Sequence, residues 1–234
     1  MAERLGDIDR KLFRNPHGFF GETLNAISPA KGECYLNSPQ KRALDIVIGA
    51  PLALAAAPVV GVLAAIKKVE DGDGAFLVQG RLKNERELFP VVKIRSMVDG
   101  AHKQDSIKVS EGKLAHEDPR VTKFGAFMRR SHLDELPQVF QAVIGQMSLV
   151  GNRPILPQYA DHLSKAWSRK RYRKWITDYG KGKKGVTGLY QVFGPQKRHD
   201  QSRFGHDMFY TRNASLGLDL YILWKTIGRV LWKS

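Results

Sequence analysis

The chain has 234 residues, 42% hydrophobic and 26% charged, enough for one packed core, which excludes disorder as its main state. With 38 Lys and Arg against 23 Asp and Glu, the formal charge of +15 calls for an anionic partner: nucleic acid, anionic lipid or a phosphorylated substrate. A lone cysteine, Cys34, excludes an internal disulfide framework and a cysteine-built zinc site, and fits a reducing compartment.

Residues 1–40 hold basic and acidic side chains in equal number and lack the apolar stretch of a secretory signal, so the N-terminus is expected to stay where it is made. Pro16, Pro29 and Pro39 predict an irregular extension, with a short helix near residues 7–14. The texture changes at Lys41-Arg42. From Ile46 to Ile66 there is no charge, and a straight helix over that run would reach about 31 Å, near the thickness of a bilayer's hydrocarbon core. Three features oppose a simple crossing. Pro58 falls mid-helix, where it removes a hydrogen bond and crowds a carbonyl, so a break or kink is expected there. The flanks, Lys41-Arg42 and Lys67-Lys68, carry like charge and give no preferred far side. The rest of the chain is too basic to be exported. A helix over 41–68 that enters the bilayer, bends at Pro58 and returns to the same face satisfies all three. Asp45, one turn from Lys41 and Arg42, can pair with either. The competing account is a buried, alanine-rich core helix.

From residue 75 the pattern is that of an α/β unit. Phe76–Gln79 and Pro90–Ile94 read as two short strands of a hairpin, and Lys93 and Arg95 alternate so that they share a face. Residues 98–117 are polar and patternless, a loop or lid. Asp118-Pro119-Arg120-Val121-Thr122 opens a turn, and Phe124–Arg130 predicts a short helix ending in paired arginines. Next, Leu136, Val139, Phe140, Val143 and Ile144 have helical spacing, with Gly145 as the stop. Pro137 is tolerable only in a first turn, so the helix is expected to start near Asp134. That puts Asp134, Glu135 and the guanidiniums of Arg129 and Arg130 at a helix N-terminus, which attracts phosphate. The plain alternative is that Asp134 caps the helix and Glu135 complements its dipole.

Residues 169–184 hold eight Lys or Arg against one acid, Asp178, with Trp167, Tyr172, Trp175 and Tyr179 interleaved. The stretch suits an anionic membrane surface, or RNA with stacking aromatics, or a solvated helix. In the last element, Leu216 to Lys233, the residues Lys225, Arg229 and Lys233 form a basic stripe. Leu220, Leu223, Trp224, Ile227, Val230 and Leu231 lie elsewhere around it, which predicts a helix in the membrane interface or one packed on the core.

Taken in order, Lys41-Arg42, Asp45, Pro58, Gln79-x-Arg81, Lys93-x-Arg95-Ser96-Met97, Asp118-Pro119-Arg120-Val121-Thr122, Leu133-Asp134-Glu135-Leu136-Pro137-Gln138, Met147-Ser148-Leu149-Val150-Gly151, Arg153-Pro154 and Gly185-Val186-Thr187-Gly188-Leu189-x-Gln191 resemble the bacterial sugar transferases, monotopic polyprenyl-phosphate glycosyl-1-phosphate transferases. The likeness runs from about residue 41 to about residue 230 and is to the small form. It implies a helix-rich α/β monotopic membrane protein: an irregular extension over 1–40, a re-entrant kinked membrane helix over 41–68, and a cytoplasmic catalytic domain over 69–234 with a short β-hairpin and interfacial amphipathic helices. The implied reaction moves a sugar 1-phosphate from a nucleotide diphosphate sugar, usually a UDP-sugar, to undecaprenyl phosphate at the cytoplasmic face of the bacterial inner membrane, initiating exopolysaccharide or other surface glycan synthesis. By the same likeness Asp134 would attack the sugar-bearing phosphorus, expel UMP and carry the phosphosugar covalently, while Glu135 would hold Mg2+. Arg129, Arg95 and Arg153, with Lys93 and Arg81, are the expected phosphate contacts, since a guanidinium fork matches phosphoryl oxygens. Asp207, Tyr210, Asn213, Ser215 and Asp219 are expected to organise the C-terminal elements.

Some positions depart from the family pattern. Gln146 and Asn152 stand where Asp and Pro are usual, Lys184 and Lys83 where Pro and Gly are, and Ala57 where Ser is frequent; they leave open the loop geometry and any metal or phosphate role at position 146. Anionic lipids are expected partners, nucleic acid is not, and a homodimer is left open. The rival readings are a membrane-anchored nucleic-acid or polyanion binder and a catalytically inactive scaffold.

Overall fold

The computed structural model describes residues 29–71, 74–98, 120–194 and 200–232. Helix α1 (Pro29–Leu36) turns into α2 (Pro39–Asp71), so the end of the extension expected to be irregular is helical, while the expected helix near 7–14 lies outside the described residues. Helix α2 runs on through Pro51 and Pro58 as one helix, without a break at Pro58, and extends the expected 41–68 at both ends. It is the one helix among the described residues long and apolar enough to cross a membrane by length and composition. Its burial is one-sided. Lys41, Leu44, Asp45, Ala53, Ala56, Val60, Leu63 and Lys67 are buried at helical spacing, whereas Val47, Leu54, Val62 and Val69 are exposed. From Lys41 to Lys67 that buried stripe runs roughly 39 Å along the helix.

The N-terminal end of α2 is bolted to the domain by its charges. Lys41 donates to Asp219 Oδ2 and, at 2.8 Å, to the Val150 carbonyl. The Tyr35 and Tyr210 hydroxyls each donate to Asp219 at 2.9 Å. Asp45 lies 3.8 Å from Lys41, but its own oxygen accepts from Ser148 Oγ and Leu149 N, so the expected pairing is the weaker half of its environment. Arg42 leaves Asp45 altogether and donates to the Ala142 and Val143 carbonyls. These are the last carbonyls of α4 (Pro137–Val143), which a cation suits. Farther along α2, Leu63 packs with Ile94 and Met128, so both ends of the helix touch the same domain.

Strands β1 (Phe76–Leu82) and β2 (Leu88–Ile94) form the expected antiparallel hairpin, with Phe76 opposite Ile94. It is longer than its apolar cores suggest, because Asn84 Oδ1 accepts from the Arg86 and Glu87 amides and tightens the turn. The polar segment 98–117 lies outside the described residues except for Val98, as do Asp118 and Pro119. Helix α3 (Lys123–Arg130) follows, capped by Thr122. A second sheet was not foreseen: β3 (Ser148–Val150) runs parallel to β4 (Gly185–Thr187). Gly151 and Gly185 permit its close approach, since a Cβ on Gly185 would lie 2.1 Å from the Gly151 nitrogen.

The remaining helices, α5 (Pro157–Ala166), α6 (Arg169–Gly180), α7 (Leu189–Phe193), α8 (Asp200–Asn213) and α9 (Leu216–Trp232), complete the core. Here the basic, aromatic stretch is corrected. Trp167, Trp175 and Tyr179 are buried, with Trp167 edge-on to Trp175, so these rings are spent on packing and cannot stack on bases. The α9 prediction is also revised. Arg229 donates to the Val192 carbonyl, while Leu216, Leu220, Trp224 and Ile227 make an exposed apolar stripe opposite buried Leu218 and Ile222. Asp207, Tyr210, Asn213, Ser215 and Asp219 do organise this end: Asp207 accepts from Trp175 Nε1, Asn213 donates to the Phe209 carbonyl, and Ser215 accepts from the Leu218 amide.

Lys184 is buried against the end of α6, donating to the Tyr179 and Gly182 carbonyls with its amine over the Tyr179 ring. Burial pulls this amine down to about 7, against the opposing pull of Asp207. An unfolded lysine keeps its proton to about pH 10.4, so unfolding takes up a proton between these values and stability should rise from about pH 7 to about pH 10. Below pH 7 the cost of a buried cation is felt in full. Lys184→Met is expected to flatten this rise, as read from thermal midpoints of the two proteins across that range.

Candidate active site

Three segments converge on Glu135. It sits in a 3-10 turn, Leu133–Glu135, entered from His132, whose backbone is left-handed with φ 57°. That conformation is strained for a residue with a side chain and aims the following acidic pair. The expected α-helix starting near Asp134 is therefore corrected: Pro137 opens α4 at its first position, and the carboxylates precede it in their own turn. Neither acid caps α4. Gly145, at φ 87°, ends that helix as expected.

Lys93 reaches in from β2 and donates to Glu135 Oε1 at 2.7 Å. Arg153, just beyond β3, grips the same carboxylate with both arms, to Oε1 at 2.5 Å and to Oε2 at 3.2 Å. Burial opposes ionisation of Glu135, but Arg153 and Lys93 outweigh it and hold the carboxyl well below the usual range. Asp134 is treated differently. It is 7% exposed and its carboxylate accepts no hydrogen bond from the described residues. Burial raises its pKa, and the charge of Glu135 adds to this, against the attraction of Lys93, Arg129 and Arg153. The adjacent carboxylates are thus driven in opposite directions: Glu135 is paired to cations, while Asp134 is desolvated and has no hydrogen-bond partner among the described residues.

Of the residues predicted to contact phosphate, the structure gathers four. Besides Lys93 and Arg153, Arg129 lies in the field of Asp134, with its Nε donating to Ser96 Oγ at 2.8 Å. Arg81 donates to Gln79 and to the Pro154 carbonyl; burial, then Arg153, pull its guanidinium down to about 10. Arg95 is not brought to Glu135: its guanidinium lies beside Gly74, at the start of the hairpin. Among the described residues, Lys93, Arg153 and Arg81 meet two carboxylates, an excess of positive charge that an anionic ligand would neutralise. Mg2+ takes one or two carboxylates and completes its shell with phosphates and water; both Glu135 oxygens already accept from Arg153 and Lys93, so an ion here would have to share that carboxylate or turn to Asp134. Among the described residues no cluster of three or more His, Cys, Asp or Glu exists that would form a full protein cage.

Sequence reasoning missed Gln141, which fixes β2 to α4. Its Oε1 accepts from the Val92 amide at 2.9 Å, and its Nε2 donates to the Pro90 carbonyl at 2.8 Å and to Gln146 Oε1 at 2.9 Å. A glutamine three residues after Gln138 within an apolar helix was the available signal. The contact also explains Gln146, whose amide oxygen holds Gln141. Asn152 is likewise tied, donating to Thr211 at 2.9 Å.

A model of the bacterial sugar transferase family matches residues 36–233. An uncharacterized sugar transferase of Haemophilus influenzae is 36% identical over 202 residues, which are 82% of this chain and 41% of that protein. An undecaprenyl-phosphate galactose phosphotransferase of Salmonella typhimurium is 35% identical over 201 residues, 82% of this chain and 40% of the other. The exopolysaccharide production protein ExoY of Sinorhizobium fredii is 29% identical over 222 residues, 91% and 92% of the two chains. The chain thus spans about two fifths of the first two proteins' length and nearly all of the third's.

Gln141→Met would leave the Val92 amide and Pro90 carbonyl without their partner, at about 1 kcal/mol or less for each of these part-buried hydrogen bonds. The expected result is a lower thermal midpoint together with faster hydrogen exchange at Val92.

Proposed function

The chain belongs to the bacterial sugar transferase family, and on that premise we propose that it moves a sugar 1-phosphate from a UDP-sugar to undecaprenyl phosphate, beginning the assembly of an exopolysaccharide or other surface glycan. The observation that carries this reading is the acidic pair held among cations in excess: Asp134 open, Glu135 ion-paired to Lys93 and Arg153. A diphosphate supplies the charge such a cluster lacks. The relatives' names, an undecaprenyl-phosphate galactose phosphotransferase and an exopolysaccharide production protein among them, support the same direction.

In this reading a carboxylate oxygen of Asp134 attacks the sugar-bearing phosphorus, a bond forms between them, and the bond to the UMP oxygen breaks, so UMP leaves with the electron pair. The phosphate of undecaprenyl phosphate then attacks the same phosphorus and restores the free carboxylate. Desolvation suits Asp134 to the first step, because a carboxylate poorly supplied with hydrogen bonds is the more basic nucleophile. Arg153, Lys93, Arg129 and Arg81 would meet the phosphoryl oxygens and stabilise charge that grows on them. Bound Mg2+ would neutralise diphosphate charge as a Lewis acid, with Glu135 as its proposed holder beside Asp134.

The proposal extends to the membrane arrangement, which α2 supports. Its buried stripe meets the domain near both ends, so a crossing with the ends on opposite sides would drag polar protein into hydrocarbon. We therefore read α2 as re-entrant, with its exposed apolar side in lipid and both ends at the cytoplasmic face of the inner membrane. The apolar stripe of α9, with Lys225 over Tyr221 and Trp224, suits the same interface.

Purified protein given UDP-sugar, Mg2+ and undecaprenyl phosphate should release UMP. Asp134→Asn should cut the rate by about 1,000-fold or more and remove the phosphosugar adduct from the intact mass, as loss of a covalent nucleophile demands. Release of UMP with Asp134 unmodified would overturn the covalent route, and no release from any donor would overturn the activity.

Topology is read separately. With Cys34 replaced by serine, cysteines placed at the exposed positions Gln40 and Lys68 should both be labelled from the cytoplasmic side of sealed vesicles; labelling from opposite sides would reject the re-entrant helix.

A further inference from the structure

We propose that Tyr179 and Arg203 are positioning residues that fix the main chain beneath Arg153, so that its guanidinium is delivered to Glu135. The proposal rests on the reading of Arg153 and Glu135 as part of the reaction site.

Arg153 needs such help. Residues 153–156 belong to no helix or strand, so no regular hydrogen-bond ladder sets the origin of its long side chain. The support comes instead from two distant helices. The Arg153 carbonyl accepts from Arg203 Nη2 at 2.9 Å, and the Tyr179 hydroxyl lies 3.3 Å from it. Two residues on, the Ile155 amide donates to the same hydroxyl at 3.2 Å, and that hydroxyl donates to the Leu82 carbonyl at 3.0 Å. Leu82 closes the circuit by donating its amide to the Ile155 carbonyl at 2.9 Å. One phenol thus ties the end of β1 to both sides of Pro154.

Both supports are themselves held. Tyr179 is 1% exposed and packs on Trp175, with ring centres 5.1 Å apart. Arg203 is buried, with Asp207 Oδ2 3.3 Å from its Nε and the rings of Tyr159 and Tyr190 at 5.5 and 5.2 Å from its guanidinium. A phenylalanine would fill the space of Tyr179 equally well, and a lysine would keep the charge of Arg203. Neither would keep these contacts to the main chain. Because a displacement of about 1 Å at a reacting group can cost a hundredfold in rate, loss of the hydroxyl should be felt at Arg153.

The test is a double-mutant cycle on UMP release, with Tyr179→Phe, Arg203→Lys, Arg153→Ala and the pairs that include Arg153→Ala. Each positioning variant alone is expected to lower kcat/KM by about tenfold or more, and to do nothing further once Arg153 is alanine. Losses that add in the Arg153→Ala background, or wild-type activity in both positioning variants, would overturn the proposal. Hydrogen exchange judges the clamp without turnover. In Tyr179→Phe the Ile155 amide should exchange about tenfold faster while α6 stays protected, and unchanged exchange would overturn it. If Tyr179→Phe does not fold, Arg203→Lys carries the kinetic test from the other side of the same carbonyl. A wild-type protein that releases no UMP from any donor sinks the functional reading alone, and the exchange measurement still decides the clamp.

Discussion

The burial of one glutamate's charge organises the centre of this molecule. Glu135 is tolerable in its setting only because Lys93 and Arg153 meet it there, and those two cations arrive from segments 42 and 18 residues away. To bring them in, the hairpin must lie against α4, which Gln141 arranges, and the stretch after β3 must hold still. The pair Asp134-Glu135 is therefore one structural unit with two electrostatic halves. Two of the cations that act on Asp134, Lys93 and Arg153, are hydrogen-bonded to its neighbour instead.

A second buried charge performs the same service for the long apolar helix α2. Asp219 collects Lys41, Tyr35 and Tyr210, joining the start of α2 to α1, α8 and α9, and Lys41 also reaches the end of β3. The apolar helix is thereby fixed at its base to the strand that leads to Arg153. A reaction between a soluble nucleotide sugar and a lipid-linked phosphate needs a site whose height above the bilayer is set. Here that height would be transmitted through two hydrogen-bonded steps, from Lys41 to Val150 and from Arg42 to the end of α4.

What could be read from the sequence was whatever rests on local pattern. The apolar run, the alternation of the hairpin, the short helix ending in paired arginines and the Asp-Glu motif ahead of a proline all depend on neighbours within a turn or two. The parallel pair of β3 and β4 was not legible, because three residues per strand are too few to show a period and their partners lie some 37 positions apart. The interleaved Lys, Arg and aromatic residues of α6 misled for a related reason. Composition suggests an exposed binding face, but a helix sorts its residues by angle, and Trp175, Ile176 and Tyr179 fall on the inner side while Arg173 and Lys174 fall outside.

The departures from the family pattern have a common physical form. Gln146, Asn152 and Lys184 are polar side chains, and each finds a partner within the protein: Gln141, Thr211 and the carbonyls at the end of α6. An amide suffices at position 146 because its task is to accept one hydrogen bond from Gln141, which needs no net charge. At 152 and 184, where a proline would stiffen the main chain, this chain uses a side-chain hydrogen bond to hold the same backbone from outside. The exchange replaces rigidity present before folding with rigidity that appears only once the helices are in place. It makes the geometry around Arg153 more dependent on α6 and α8 than a proline-braced loop would be, and those two helices are the ones that carry Tyr179 and Arg203.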